Sequence, residues 1–275
     1  MEVIEYKLGG NSFPIVVNEG TQKYLVKLRA GMSGEYSLLS EWLGNVIGKK
    51  LGINTRQPYW INLSDLLEYK NVYIEVRDLI EKSMGLNISF EYIENAKDYS
   101  LIETETMPKE KFIDIYLLDV LLLNVDRTKT NLNLLIDNNN NLIVSDFESS
   151  LLFNEMLNNK VLAENERILQ CLKSNPFYQK VENPEIDLFV NRLNELDFAL
   201  FISELPYELL TREKRERLLS EFDKKRNIHW GLKTLLDRID NIAIESEQEK
   251  EVRINKNREK LEKLVSSTHN AQYKT

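Results

Sequence analysis

Two carboxylates and an amide stand in a suggestive order in the middle of this chain: Asp126, Asn131 and Asp146. They fall within residues 121–153, LLLNVDRTKTNLNLLIDNNNNLIVSDFESSLLF. Asp126 can accept a hydroxyl proton or orient the nucleophile that carries it. Asn131 and Asp146 offer hard oxygen atoms of the kind that hold Mg²⁺ beside substrate phosphates. A base and two oxygen ligands on one rim are the working parts of a phosphoryl-transfer site. By itself an Asp-x-x-x-x-Asn step says little, because Asx residues favour loops by bonding their own backbone. Its weight comes from the elements around it.

Residues 109–123 read as a helix that becomes apolar nearly all round from Ile113 on, with Asp119 the interruption in the greasiest run. Such a helix is buried on most sides, and Pro108 suits the first turn of one that begins near Thr106. A rigid helix of this kind fixes the loop that follows it, where a misplacement of ~1 Å can cost roughly 100-fold in rate. After the loop, residues 132–136 and 142–144 read as a hairpin across a turn at 137–141, and Asp146 follows directly. The hairpin brings Asp126, Asn131 and Asp146 to one rim.

Upstream, residues 14–17 and 24–28 read as strands around Asn18-Glu19-Gly20-Thr21, a hairpin signal. The loop Gly9-Gly10-Asn11-Ser12 has amides and a Ser12 hydroxyl that could approach a phosphate, although taken alone it reads first as a plain turn between strands. Lys27 alternates with Val26 and Leu28. Residues 34–51 follow as a helix, with Leu38, Leu39, Trp42, Leu43, Val46 and Ile47 at helical spacing and Gly52 placed to end it. Glu35 and Glu41 are its carboxylates, and Glu41, one to two turns in, is the one able to face the sheet. A helix from Ser64 or Asp65, a strand over 71–76 and another over 88–93 are expected next. Beyond residue 184 the chain reads as helical, with amphipathic stretches at 186–193, 211–222 and 230–244; past residue 245 it is charged and weakly apolar.

Composition narrows the function classes. The net charge is −8, with 36 Lys+Arg against 44 Asp+Glu. That argues against non-specific binding to nucleic acid or to an anionic membrane, both of which favour a basic face. One cysteine, Cys171, allows no internal disulfide, and His229 and His269 lack metal-ligand spacing. No segment reaches the ~20 apolar residues that span a bilayer, and the N-terminus lacks a leader-like apolar core. A cytoplasmic, reducing location is expected.

The sequence resembles the HipA-like kinases and, more distantly, the phosphoinositide kinases. The matching pieces are Gly-Gly-Asn-Ser-Phe-Pro (9–14), Tyr-Leu-Val-Lys ending at Lys27, Ser-Glu-Trp-Leu-Gly (40–44) with Leu-Gly-Ile (51–53), and Leu-Asn-Val-Asp-Arg-Thr-Lys-Thr-Asn-Leu-Asn-Leu-Leu (123–135). The resemblance implies an α+β, two-lobed protein-kinase-like fold: a β-rich nucleotide-binding lobe at 1–96, a helical catalytic lobe at 97–245, and a charged helix or tail at 246–275. It also implies ATP and Mg²⁺ as cofactors and a Ser/Thr hydroxyl of a protein as acceptor. In that scheme Asp126 is the catalytic aspartate, and Asn131 and Asp146 are the magnesium ligands. Lys27 meets the α and β phosphates and pairs with Glu41; Ser12 belongs to the nucleotide loop. Backbone groups from Glu91 to Ile93, where such a fold passes between lobes, would meet adenine.

Members often have a toxin–antitoxin role with a small antitoxin-like regulator, and this chain resembles the minimal, kinase-core-only kind. Two departures stand out. Thr128 replaces a frequent His after the Arg, and Glu148 follows Asp146-Phe147 where protein kinases have Gly. A catalytically weak nucleotide-binding module, AMP transfer and small-molecule phosphorylation from the same site are the other readings.

Overall fold

A computed structural model describes residues 1–6, 13–32, 34, 36–64, 67–69, 72–100 and 109–243. Ser12, the expected helix start near Thr106 and the tail beyond residue 243 lie outside these. In the first part, strands β1 (Glu2–Tyr6), β2 (Ile15–Glu19) and β3 (Gln22–Lys27) precede helix α1 (Ser37–Lys50). Then come β4 (Pro58–Leu63), β5 (Glu68–Tyr69), helix α2 (Ile74–Lys82) and β6 (Gly85–Glu91). The strands form one sheet in the order β4-β6-β3-β2-β1-β5. Its pairs are antiparallel except β1 with β5. In this register Lys27 sits opposite Ile88, at the end of β3.

Two expectations fail here. The strand over 71–76 is not formed: α2 starts at Ile74, and Val76 and Ile80 are buried four residues apart among the apolar side chains packed against the sheet. Short β-branched runs read alike as strand or helix, and the i,i+4 burial decides for helix. No helix begins at Ser64 among the described residues; β5 follows instead, tied to the N-terminus by the Glu68 amide donating to the Met1 carbonyl at 3.0 Å.

The second part opens with β7 (Lys97–Asp98), and the apolar run forms α3 (Ile113–Leu122). Strands β8 (Leu134–Ile136) and β9 (Leu142–Val144) make the expected hairpin, with β7 on the outer side of β8. The remainder is helical: α4 (Leu152–Asn158), α5 (Glu166–Lys173), α6 (Asn183–Asn194), α7 (Phe198–Ser203), α8 (Arg212–Asn227) and α9 (Leu232–Asn241). One continuous apolar cluster runs from Tyr36 on the approach to α1, through α3, to Ile239 in α9. The sheet-and-helix first part and helical second part make the chain α+β.

Helix α1 is buried along most of its length, and it is the wedge on which the site is built. Two glycines allow its close approach. A β-carbon at Gly44 would lie 2.5 Å from Phe147 Cβ, and one at Gly48 would lie 2.6 Å from Thr55 Cγ2. Phe147 is fully buried against that bare strip of helix. Since Phe147 is ring and β-carbon here, with no flexible end to give way, Gly44→Ala should overpack the contact. We expect a loss of about 1–3 kcal/mol in unfolding free energy, read by denaturant titration.

A second buried contact fixes the loop after α3. Asp119, whose charge breaks the apolar run, is fully buried and accepts from four donors. Arg127 supplies two, at 2.6 and 3.2 Å, and the Asn124 and Asn175 amides supply the others at 2.9 Å each. The Arg127 guanidinium also donates to the Leu132 and Asn133 carbonyls at 2.5 and 3.1 Å. It thereby bridges the end of α3 to the start of the hairpin. Arg127→Met strips the ionic partner from a buried carboxylate, a change worth about 3–5 kcal/mol. The double variant Asp119→Leu with Arg127→Met removes both charges and should lose less than the sum of the two single losses in the same unfolding experiment.

Candidate active site

Lys27 stands at the centre. It is 7% exposed, and its ammonium lies 2.9 Å from Asp146 Oδ1, 3.1 Å from Glu41 Oε2 and 3.2 Å from Glu148 Oε2. An ammonium has three protons to donate, and here three carboxylates surround it. Burial alone would lower the Lys27 pKa, but the charges of Glu41, Asp146 and Glu148 outweigh it and hold the group well above the usual lysine range. Burial pushes both the Glu41 and Glu148 carboxyls up, with Lys27 pulling against it and Asp146 adding to the rise.

The three acids are held differently. Glu41 is fixed by its helix, accepting from the Phe147 amide at 2.7 Å through Oε2 and from Asn45 Nδ2 at 3.2 Å through Oε1. Asp146 takes a left-handed backbone (φ 66°), which turns the chain out of β9 and aims its carboxylate at Lys27. Glu148 is 8% exposed, and among the described residues its carboxylate meets Lys27 alone.

The residues of the Asp126 loop lie across the same cleft. The loop closes on itself by reciprocal backbone bonds between Thr128 and Asn131, at 2.9 and 3.1 Å. Asp126 Oδ2 accepts from Asn131 Nδ2 at 2.9 Å and from Asn133 Nδ2 at 3.2 Å, so the carboxylate is oriented by two amides. Asn131 spends its nitrogen on Asp126, which leaves its side-chain oxygen as the atom able to ligate a cation. Asn133 also has a left-handed backbone (φ 51°), and its carbonyl accepts from Ser145 Oγ at 3.1 Å, joining the loop to the stretch before Asp146.

Lys27, Glu41, Asp126, Asn131, Asp146 and Glu148 line one cleft of about 660 Å³. Among the described residues its lining carries five carboxylates (Glu41, Asp98, Asp126, Asp146, Glu148) against three cations (Lys27, Arg56, Lys129), an excess of two acidic groups. A polyphosphate would enter that field only with cations beside it. The acidic excess and the oxygen donors of Asn131 and Asp146 therefore fit a magnesium-bound nucleotide. Carboxylate oxygens of Glu41, Asp146 and Glu148 also lie within 4.8 Å of one another.

Glu91 and Ile93 are not brought to this cleft. The Glu91 carbonyl accepts from Arg56 Nη2 at 2.8 Å, the neighbouring Tyr92 amide donates to the Lys23 carbonyl at 2.9 Å, and neither Glu91 nor Ile93 is among the lining residues. Four further residues shape the site: Arg127 and Asn133 stand inside the matching stretch 123–135 with no role read for them, Asp119 was read only as a break in the apolar run, and Arg56 was missed. Arg56 carries no pattern that marks it. Arg56 stacks over Phe90, its guanidinium carbon 4.7 Å from the ring centre, and burial pushes its pKa down to about 10 against the opposing charge of Glu41. Asp119 and Arg127 did leave a sign: one charge in an otherwise apolar helix needs a buried partner.

The chain matches the model of the HipA-like kinases over residues 2–241. Among solved structures it is similar to the Helicobacter pylori proinflammatory kinase CtkA, with 14% identity, a TM-score of 0.52, and coverage of 86% of this chain and 96% of that one. At that identity the likeness speaks to fold alone. The choline kinase LicA from Streptococcus pneumoniae aligns over 97% of this chain and 95% of its own, at 14% identity and a TM-score of 0.31, too loose to carry an argument. No curated protein matches. Among the described residues no helix is long and apolar enough to cross a membrane. With a family match that takes in both the sheet and the helices, this chain belongs to the HipA-like kinases.

Proposed function

We propose that this kinase transfers the γ-phosphoryl group of ATP, in the presence of Mg²⁺, to a Ser or Thr hydroxyl of a protein. The observation that supports this most is the convergence of Lys27, Asp126, Asn131 and Asp146 on one cleft. In this reading, residues 1–96 and 97–245 are the two lobes that meet at the cleft.

Lys27 meets the α and β phosphates, while Glu41, itself anchored to the Phe147 amide, keeps the ammonium in place. Asp126 accepts the acceptor's hydroxyl proton as the oxygen attacks. Its carboxylate is already turned by Asn131 and Asn133, so orientation is settled before the acceptor arrives. Asn131 and Asp146 would hold Mg²⁺, which supplies neutralisation of the charge on the transferring phosphates. The buried Asp119–Arg127 pair does no chemistry, but it sets the height of the loop that carries Asp126.

Asp126→Asn keeps the shape and removes the base. With radiolabelled ATP, Mg²⁺ and a mixture of acceptor proteins, the wild type should label protein and the variant should be slower by about 10²–10⁴-fold. Equal transfer by both proteins would overturn the assignment. The mass added to the labelled acceptor separates phosphate from AMP, and phosphoamino-acid analysis reports whether Ser or Thr is the site.

A further inference from the structure

Glu148 has no role in the reading above, yet it occupies the most contested position in the cleft. A lysine that already touches three carboxylates can take a phosphate only if one of them gives way. Glu41 cannot give way cheaply, because both its oxygens are engaged, by Phe147, by Asn45 and by Lys27, inside a buried helix. Asp146 is held to its direction by the turn out of β9, and in the proposed reading it faces the metal. Among the described residues Glu148 is bound by one contact, of 3.2 Å to Lys27, and it lines the open cleft. It is the acceptor that an incoming phosphate would displace.

We propose that Glu148 is a specificity-determining residue that makes nucleotide binding depend on the divalent cation. This rests on the kinase reading of the same cleft. With no cation, an entering phosphate must both displace Glu148 from Lys27 and sit beside its uncompensated carboxylate, next to Asp146. Like charges at a few ångströms in a partly desolvated site repel strongly. With a divalent cation on the nucleotide, the displaced carboxylate has a positive neighbour and the repulsion is offset. A glycine at this position would leave Lys27 open to any polyphosphate of the right shape. Glu148 closes that route.

The test is calorimetric titration of ATP and ADP into the whole 275-residue chain, once with Mg²⁺ and once with EDTA, for wild type and Glu148→Gln. The wild type should bind the magnesium complex far more tightly than the free nucleotide. The variant should gain roughly tenfold in affinity for the metal-free nucleotide while its affinity for the magnesium complex moves less, so that the ratio between the two conditions narrows. Glu148→Ala gives the same reading should the Gln variant fail to fold, as judged by its thermal unfolding. A ratio unchanged or widened in a folded variant overturns the role of Glu148. If the wild type binds and transfers from Mg·ATP in that case, the kinase reading stands and this inference alone falls. If the wild type binds no nucleotide under either condition, both fall.

Discussion

The site depends first on one buried carboxylate, Glu41, and what it holds. One side chain on α1 ties the end of β3, through Lys27, to the backbone of the Asp-Phe-Glu segment, through the Phe147 amide. Sheet, helix and Asp-Phe-Glu segment are therefore registered to one another by two short contacts. A buried ion pair of this kind contributes little net stability, since desolvation offsets much of the attraction. What it contributes is geometry. An ammonium on a four-carbon stem has many rotamers, and the fixed carboxylate selects among them.

The other half of the cleft is built on an independent hub. Asp119 and Arg127 are both inaccessible to solvent, and between them they bind the end of α3, the Asp126 loop and the first residues of the hairpin. Catalytic loops in general sit at the surface, where backbone is free to shift. Here a surface loop hangs from an interior charge pair, so Asp126 is half-exposed while the residue next to it is in the core. Exposure and rigidity, usually opposed, are separated by a single peptide bond.

Much of this was legible in the chain and some was not, for definite reasons. The hairpin after the Asp126 loop, the wedge helix with Glu41 and the buried helix before the loop follow from periodicity and turn chemistry, which are local properties. The segment at 71–76 was misread because a short β-branched run carries no length with which to tell period 2 from period 3.6. Glu148 drew notice as an odd residue, but its contact with Lys27 spans 121 positions of sequence and leaves no trace in spacing. Arg56 is legible only in three dimensions, and for Asn133, which stands inside the matching stretch 123–135, the structure adds the contact with Asp126. The expected use of Glu91 and Ile93 rested on position along the chain, and hydrogen bonding to Arg56 and β3 engages the polar groups there instead.

The bare strip of α1 at Gly44 and Gly48 has a consequence for how this enzyme can change state. A helix that packs through side chains can slide or roll by trading one set of ridges for another. One that packs through missing side chains cannot, because rolling by a single residue would bring Leu43 or Asn45 to the place where Phe147 now lies against nothing but backbone. The helix thus has a single seat. Moving this helix away from the Asp-Phe-Glu segment, while the segment stays put, would give up both the close contact at Gly44 and the bond from the Phe147 amide to Glu41. Both losses fall on the residue that holds Lys27, so a shift of the helix is felt first by the charges in the cleft.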